Sequence, residues 1–141
     1  MNGRQRGFSL MEIMVAVAIV GILSAIALPA YNQHILRTKL SGGFTSLGTV
    51  ELTAEQYWAN NRTYVGLDTS GRLPAAITDF TFAASNLGVS TFTVTATGRA
   101  AALGFTYTID HTGAKKTTQV PTGWTTSTTC WVDRKGGLCT Q

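Results

Sequence analysis

Charge is scarce in this chain: only 13% of its 141 residues are charged, and seven of those are acidic. A formal net charge of +4, spread this thinly, selects no class of partner. Histidine occurs twice, at His34 and His111, and neither has a cysteine or carboxylate around it at metal-ligand spacing. That excludes a histidine-built metal centre or catalytic apparatus, so no cofactor and no enzymatic role are expected. Cysteine also occurs twice, at Cys130 and Cys139, both near the C-terminus; in a secreted chain this reads as one disulfide. With 44% hydrophobic residues there is material for one domain with a modest core, and a second independent domain is excluded.

What the chain does have is one long apolar run. Residues 8–30 read FSLMEIMVAVAIVGILSAIALPA, with Glu12 the single charge. A helix of about 20 residues crosses the bilayer hydrocarbon, so the run is long enough. Arg4 and Arg6 precede it and hold that end on the cytoplasmic side. Three fates fit such a run: a signal peptide cut after Ala25-Ile26-Ala27, a permanent single-span anchor, or a short leader cut after Gly7. Glu12 discriminates among them. A carboxylate in a membrane helix costs roughly 2.5–3.5 kcal/mol at the bilayer centre and less near an interface, and neither of the first two fates gains from it. Cleavage after Gly7 instead creates an α-amino group on Phe8, four residues away on the same helix. The carboxylate then has a cationic partner, within the chain or on the next subunit of an assembly, and becomes a register device.

The residues Arg6, Gly7, Phe8, Ser9, Leu10 and Glu12, followed by Gly21, Ile22, Leu23, Ile26, Ala27 and Pro29, resemble the class III signal of type IV pilins. The resemblance extends along the mature chain to PilE-like type IVa pilins through Glu55-Gln56-Tyr57-Trp58, Asn61-Arg62-Thr63-Tyr64, Phe105-Thr106-Tyr107-Thr108-Ile109-Asp110 and Cys130-Trp131. It implies that prepilin peptidase cuts between Gly7 and Phe8 and N-methylates Phe8. The subunit would wait as a single-pass inner-membrane protein and then pass, through the inner-membrane assembly machinery, into an extracellular pilus with other pilin subunits. Motility, adhesion to a host surface and DNA uptake are the roles such a filament serves. Pseudopilins of type II secretion share the leader, but their major members typically carry a C-terminal calcium site. Asp133 is the lone acidic residue in the C-terminal stretch here, too few for such a site.

Past the membrane run, apolar residues recur three or four apart at Tyr31, Ile35, Leu36, Leu40, Phe44, Leu47, Val50, Ala54, Tyr57 and Trp58. This predicts one helix over about 8–59. Pro29 lacks the ladder N–H and should kink or locally open it; with Gly21 it marks the segment expected to lose regular hydrogen bonding on assembly. Gly42, Gly43 and Gly48 each cost about 1 kcal/mol relative to Ala, so the second half needs a tertiary partner. Residues 60–78 read as a loop. Period-two alternation at Phe80/Phe82/Ala84, Phe92/Val94/Ala96 and Phe105/Tyr107/Ile109, with threonines between, predicts antiparallel strands with one buried face. His111-Thr112-Gly113 reads as a turn and residues 116–120 as a polar edge strand. The expected fold is therefore α+β: a leader at 1–7, a hydrophobic helix at 8–30, and a globular domain at 31–141. In that domain an amphipathic helix packs on a four-stranded antiparallel sheet within 79–120, followed by a disulfide-bounded D-region at 121–141. Closing the Cys130–Cys139 loop should stabilise it by roughly 2.5–3 kcal/mol.

The remaining polar residues carry less. Ser9 and Ser24 are expected inside the apolar helix, each returning its hydroxyl bond to the preceding turn. Asn61-Arg62-Thr63 is a chance match to a glycosylation triplet. For DNA the candidate contacts are Lys115, Lys116, Arg134 and Lys135, with Trp124 and Trp131 available for base stacking if exposed. A solvated turn and loop is the favoured reading of these residues. Asp110 and Asp133 lie beside the two basic pairs and should partly cancel their field, so weak or no DNA binding is expected.

Overall fold

In the computed structural model, which describes residues 8–139, a single helix α1 (Leu10–Asn61) precedes four strands: β1 (Phe80–Ser85), β2 (Thr93–Gly98), β3 (Thr106–Asp110) and β4 (Lys115–Gln119). A 3-10 turn at Ala100–Ala102 joins β2 to β3. Gly7 and the rest of the expected leader lie outside the described residues. The chain divides into two compact units at the Ile35/Leu36 boundary, and α1 contributes to both.

In the first unit the helix is apolar and long enough to cross a membrane. Its side chains are exposed almost throughout, from Leu10 to Leu28. The helix runs uninterrupted through Gly21 and Pro29, so in the isolated chain it is not opened there. It starts two residues later than expected, for a reason that corrects the reading of Ser9. The Ser9 hydroxyl accepts the Glu12 backbone N–H at 3.2 Å. Ser9 is thus the N-cap of α1, not an interior residue, and Glu12 occupies the third helical position of a Ser-x-x-Glu pattern. Its negative charge also sits favourably at the positive end of the helix dipole.

In the second unit Leu40, Gly43, Leu47, Val50 and Ala54 form the buried stripe of the helix, at alternating spacings of three and four. They pack with Phe80, Phe92, Val94, Ala96, Phe105, Tyr107 and Ile109 into one core. Gly43 explains why a poor helix former is tolerated there. A Cβ at that position would lie 2.7 Å from the Phe80 ring, so its absence lets the ring approach the helix backbone. The sheet is a meander of order β1-β2-β3-β4, antiparallel throughout. Burial alternates along β2 and β3 as period two requires, whereas Phe82 and Ala84 on the edge strand β1 are only half covered. The turn at residues 111–113 closes with the Gly113 N–H donating to Asp110 O.

The stretch beyond Pro121 is more firmly tied than a loop would be. Ser127 bridges Thr117 on β4, and the Thr117 hydroxyl donates to Cys130 O while accepting the Val132 N–H at 2.8 Å. The Tyr107 hydroxyl donates to Val132 O and the Trp131 indole N–H to Thr108 O, each at 2.8 Å. Burial pushes the Tyr107 phenol far above its ordinary range, and Asp133 adds to the shift, so it remains a hydrogen-bond donor at any physiological pH. Cys130 and Cys139 form the disulfide.

Candidate functional site

Two groups of residues carry the functional expectations. At the N-terminus Phe8 and Glu12 are both exposed, with Ser9 fixing the first turn between them. Among the described residues no ion pair to the Glu12 carboxylate occurs. Its only structural duties visible here are helix-terminal ones.

The second group is the set of C-terminal cations, which β4 and the disulfide loop hold in the same region through Thr117. Lys115 lies over the Trp131 ring, its ammonium 4.7 Å from the ring centroid. Trp131 is 2% exposed and stacks on Phe44, so it is closed to base stacking; Trp124 is half-buried, edge-on to Phe105. Lys116 faces Asp110 at 3.7 Å. Burial raises the Asp110 pKa, but the Thr112 hydroxyl, the backbone N–H groups of Thr112 and Ala114, and the Lys116 charge outweigh it and hold the carboxyl below its usual value. Arg134 lies 3.9 Å from the buried Asp133. Lys135 is exposed in the turn that follows. Three of the four cations are thereby engaged, and their field is offset locally.

Sequence reasoning passed over another basic group, in the chain that follows α1. Arg62 is exposed and stacks over Trp58 at 5.2 Å. Arg72 is exposed in the irregular chain just past a turn, and Arg99 is spent on the carbonyls of Ile77 and Thr78. No periodicity marks these residues, because each serves an irregular segment. Among the described residues no group of His, Cys, Asp and Glu is placed to hold a metal ion.

A family model described as a prokaryotic N-terminal methylation motif matches residues 2–28. A second, described as type IV minor pilin ComP, DNA uptake sequence receptor, matches residues 29–106, more than half of the chain. The chain belongs to this family of type IV minor pilins. The family is one of structural pilins and not of enzymes, and the methylation motif with its apolar helix fits a membrane-anchored pilin that goes on to form an extracellular pilus. Among curated relatives, a fimbrial protein, EcpC, of Eikenella corrodens is 32% identical over 100 residues, 67% of this chain and 65% of that protein. A fimbrial protein of Neisseria meningitidis serogroup B is 39% identical over 79 residues, 52% of this chain and 46% of its own length. The type IV major fimbrial protein FimA of Dichelobacter nodosus is 56% identical over 43 residues, 30% of this chain and 27% of its own. The chain thus spans less than two thirds of the length of each of these relatives. The pilin match to residues 29–106 includes Arg62, Arg72 and Arg99 but stops short of Lys115, Lys116, Arg134 and Lys135.

Proposed function

We propose that the chain is a non-enzymatic minor subunit of a type IV pilus that captures duplex DNA at the filament surface. The observation that carries this is the match of residues 29–106 to a minor-pilin family described as a DNA uptake sequence receptor. Prepilin peptidase would cut the Gly7–Phe8 bond and methylate the new Phe8 amine. The inner-membrane machinery would then move the apolar helix from lipid into the filament among other pilin subunits. There Glu12 would set register against a neighbouring Phe8 amine, and residues 21–29 would give up regular hydrogen bonding. Mass spectrometry of the mature chain should find N-methyl-Phe8 at its start; a start at Leu28 would return the run to ordinary signal-peptide cleavage.

DNA capture needs cations with little local compensation, because affinity comes from phosphates neutralised and counterions released. Arg62 and Arg72, in the family-matched stretch, meet that need better than Lys116 and Arg134, which face carboxylates. Lys115 and Lys135 would contribute at the margin. Duplex binding by the detergent-solubilised full chain should be weak and steep in salt. With about three phosphates contacted, affinity should fall roughly forty-fold between 50 and 200 mM salt. Removing Arg62 and Arg72 together should flatten that slope more than removing Lys115, Lys116, Arg134 and Lys135. Binding insensitive to salt would rule out the phosphate mechanism.

A further inference from the structure

We infer that a cleft at the C-terminal end of α1 is a binding site for a neutral saccharide, a second site distinct in chemistry from the proposed DNA surface. Glu55, Trp58, Tyr64 and Ser90 line a space of about 430 Å³, within the range of small-molecule sites and large enough for a pyranose ring with its hydration. Two elements make it. Glu55 and Trp58 lie on adjacent turns of the helix, while Tyr64 and Ser90 come from loops that pair through the Tyr64 N–H donating to Gly88 O.

The positions are fixed from behind. The Trp58 indole N–H donates to Val89 O at 2.9 Å, which sets the ring plane beside Ser90. The Tyr64 ring packs edge-to-face on Phe92, at 4.8 Å between centroids. The polar ends are left over: among the described residues neither the Glu55 carboxylate, the Tyr64 hydroxyl nor the Ser90 hydroxyl makes a side-chain hydrogen bond, and Glu55 has no ion-pair partner. Glu55 and Ser90 are exposed, so the partners of these groups are solvent, which a ligand carrying matching hydroxyls can displace. Burial, and secondarily Glu55, raise the Tyr64 pKa, so the phenol stays a donor as well as an acceptor.

The chemistry of the lining selects the ligand. A carboxylate only accepts, and the two hydroxyls both donate and accept, so the matching partner carries several closely spaced O–H groups. Glu55 meets an anion such as phosphate with a like charge and no donor, which the Arg62 guanidinium over Trp58 offsets only in part. A quaternary ammonium would need open aromatic faces, but Arg62 covers a face of Trp58 and Tyr64 is engaged with Phe92. The vicinal hydroxyls of a neutral pyranose satisfy all three groups.

The test uses the detergent-solubilised full chain, nitrogen-15 labelled, with the three tryptophan indole N–H signals as reporters. Galactose, glucose and N-acetylglucosamine are titrated separately, with sialic acid as the anionic comparison. At least one neutral sugar should shift the Trp58 signal saturably and leave that of the buried Trp131 in place. Glu55→Gln keeps the side-chain shape and should weaken binding about tenfold, as loss of one charge-assisted hydrogen bond does. Tyr64→Phe keeps the packing on Phe92 and should also weaken it. Presenting the preferred sugar at the end of a tethered oligosaccharide separates sources: tighter binding points to a surface glycan, equal binding to a free sugar, and both support the site. No saturable shift from any neutral sugar up to ~100 mM, an unchanged response in Glu55→Gln, or sialic acid binding as tightly as the neutral sugars would each overturn it. Tyr64→Phe changes no charge beside Arg62 and should leave salt-dependent duplex binding intact, so this proposal and the DNA proposal fail separately.

Discussion

Replacing Glu12 by Ala should leave the subunit in the membrane and remove it from the filament. Within the lipid the substitution relieves a carboxylate of its desolvation cost, so insertion does not suffer. In the filament the mature Phe8 amine would face no counter-charge, and stripping one member from a buried ion pair costs about 3–5 kcal/mol. At that cost incorporation should fall well over tenfold. Membrane fractionation followed by immunoblotting of sheared pili measures both quantities in one culture. The N-cap geometry supplies the necessary control, because Glu12 also occupies the capping position three residues after Ser9. Glu12→Gln retains the side-chain capacity to reach back to the N-cap while removing the charge. If the helix terminus were the whole role, Gln would restore assembly. Register by charge requires Gln to fail almost as badly as Ala.

Gly98→Ala should be the most destabilising single methyl added to the sheet. A Cβ there would collide with the carbonyl oxygen of Ala102 and lie 2.8 Å from that of Phe105. Both obstacles are backbone, so no rotamer change relieves them, and the Gly98 N–H is itself bonded to Phe105 O. The turn through Ala100–Ala102 folds directly back on the end of β2, and only a missing side chain allows it. The expected loss is about 3 kcal/mol or more, or roughly 12 °C or more in Tm for a domain of this size. Gly48→Ala offers the opposite case: it is an exposed helical glycine whose added Cβ would meet nothing within 4 Å, and it should raise stability by about 0.5–1 kcal/mol. Thermal unfolding followed by circular dichroism compares the two. A Gly98→Ala variant melting within ~2 °C of the parent would mean that the β2–β3 turn relaxes freely.

The strands were legible because period-two patterns such as Phe105/Tyr107/Ile109 are local, and a buried face writes them directly into the chain. The second half of the helix was legible for the same reason at period 3.6, although Gly43 looked like a cost and is in fact the seat of the Phe80 ring. Contacts that cross the fold leave no such mark. Nothing near Thr117 announces that its hydroxyl will link Cys130 to Val132, or that Ser127 will extend β4. Ser9 was misassigned because its capping signature overlaps the pilin motif, and one residue carried two messages. The partners of Lys116 and Arg134 could be anticipated because Asp110 and Asp133 are near in sequence. The cleft could not be: Glu55 and Ser90 meet only after the intervening chain has turned back.

Each strand of the sheet pairs with its neighbour in sequence, which bears on how quickly the domain can form. Every hairpin closes a short loop, so little chain entropy is lost before its hydrogen bonds begin to repay it. A meander can therefore grow one hairpin at a time, without waiting for distant segments to find each other. For a domain tethered to a membrane by its own helix, early pairing also limits the time during which strand edges such as β1 lie open to neighbouring chains. The order of the strands thus favours a subunit that reaches its finished form one at a time, before crowding with its neighbours begins.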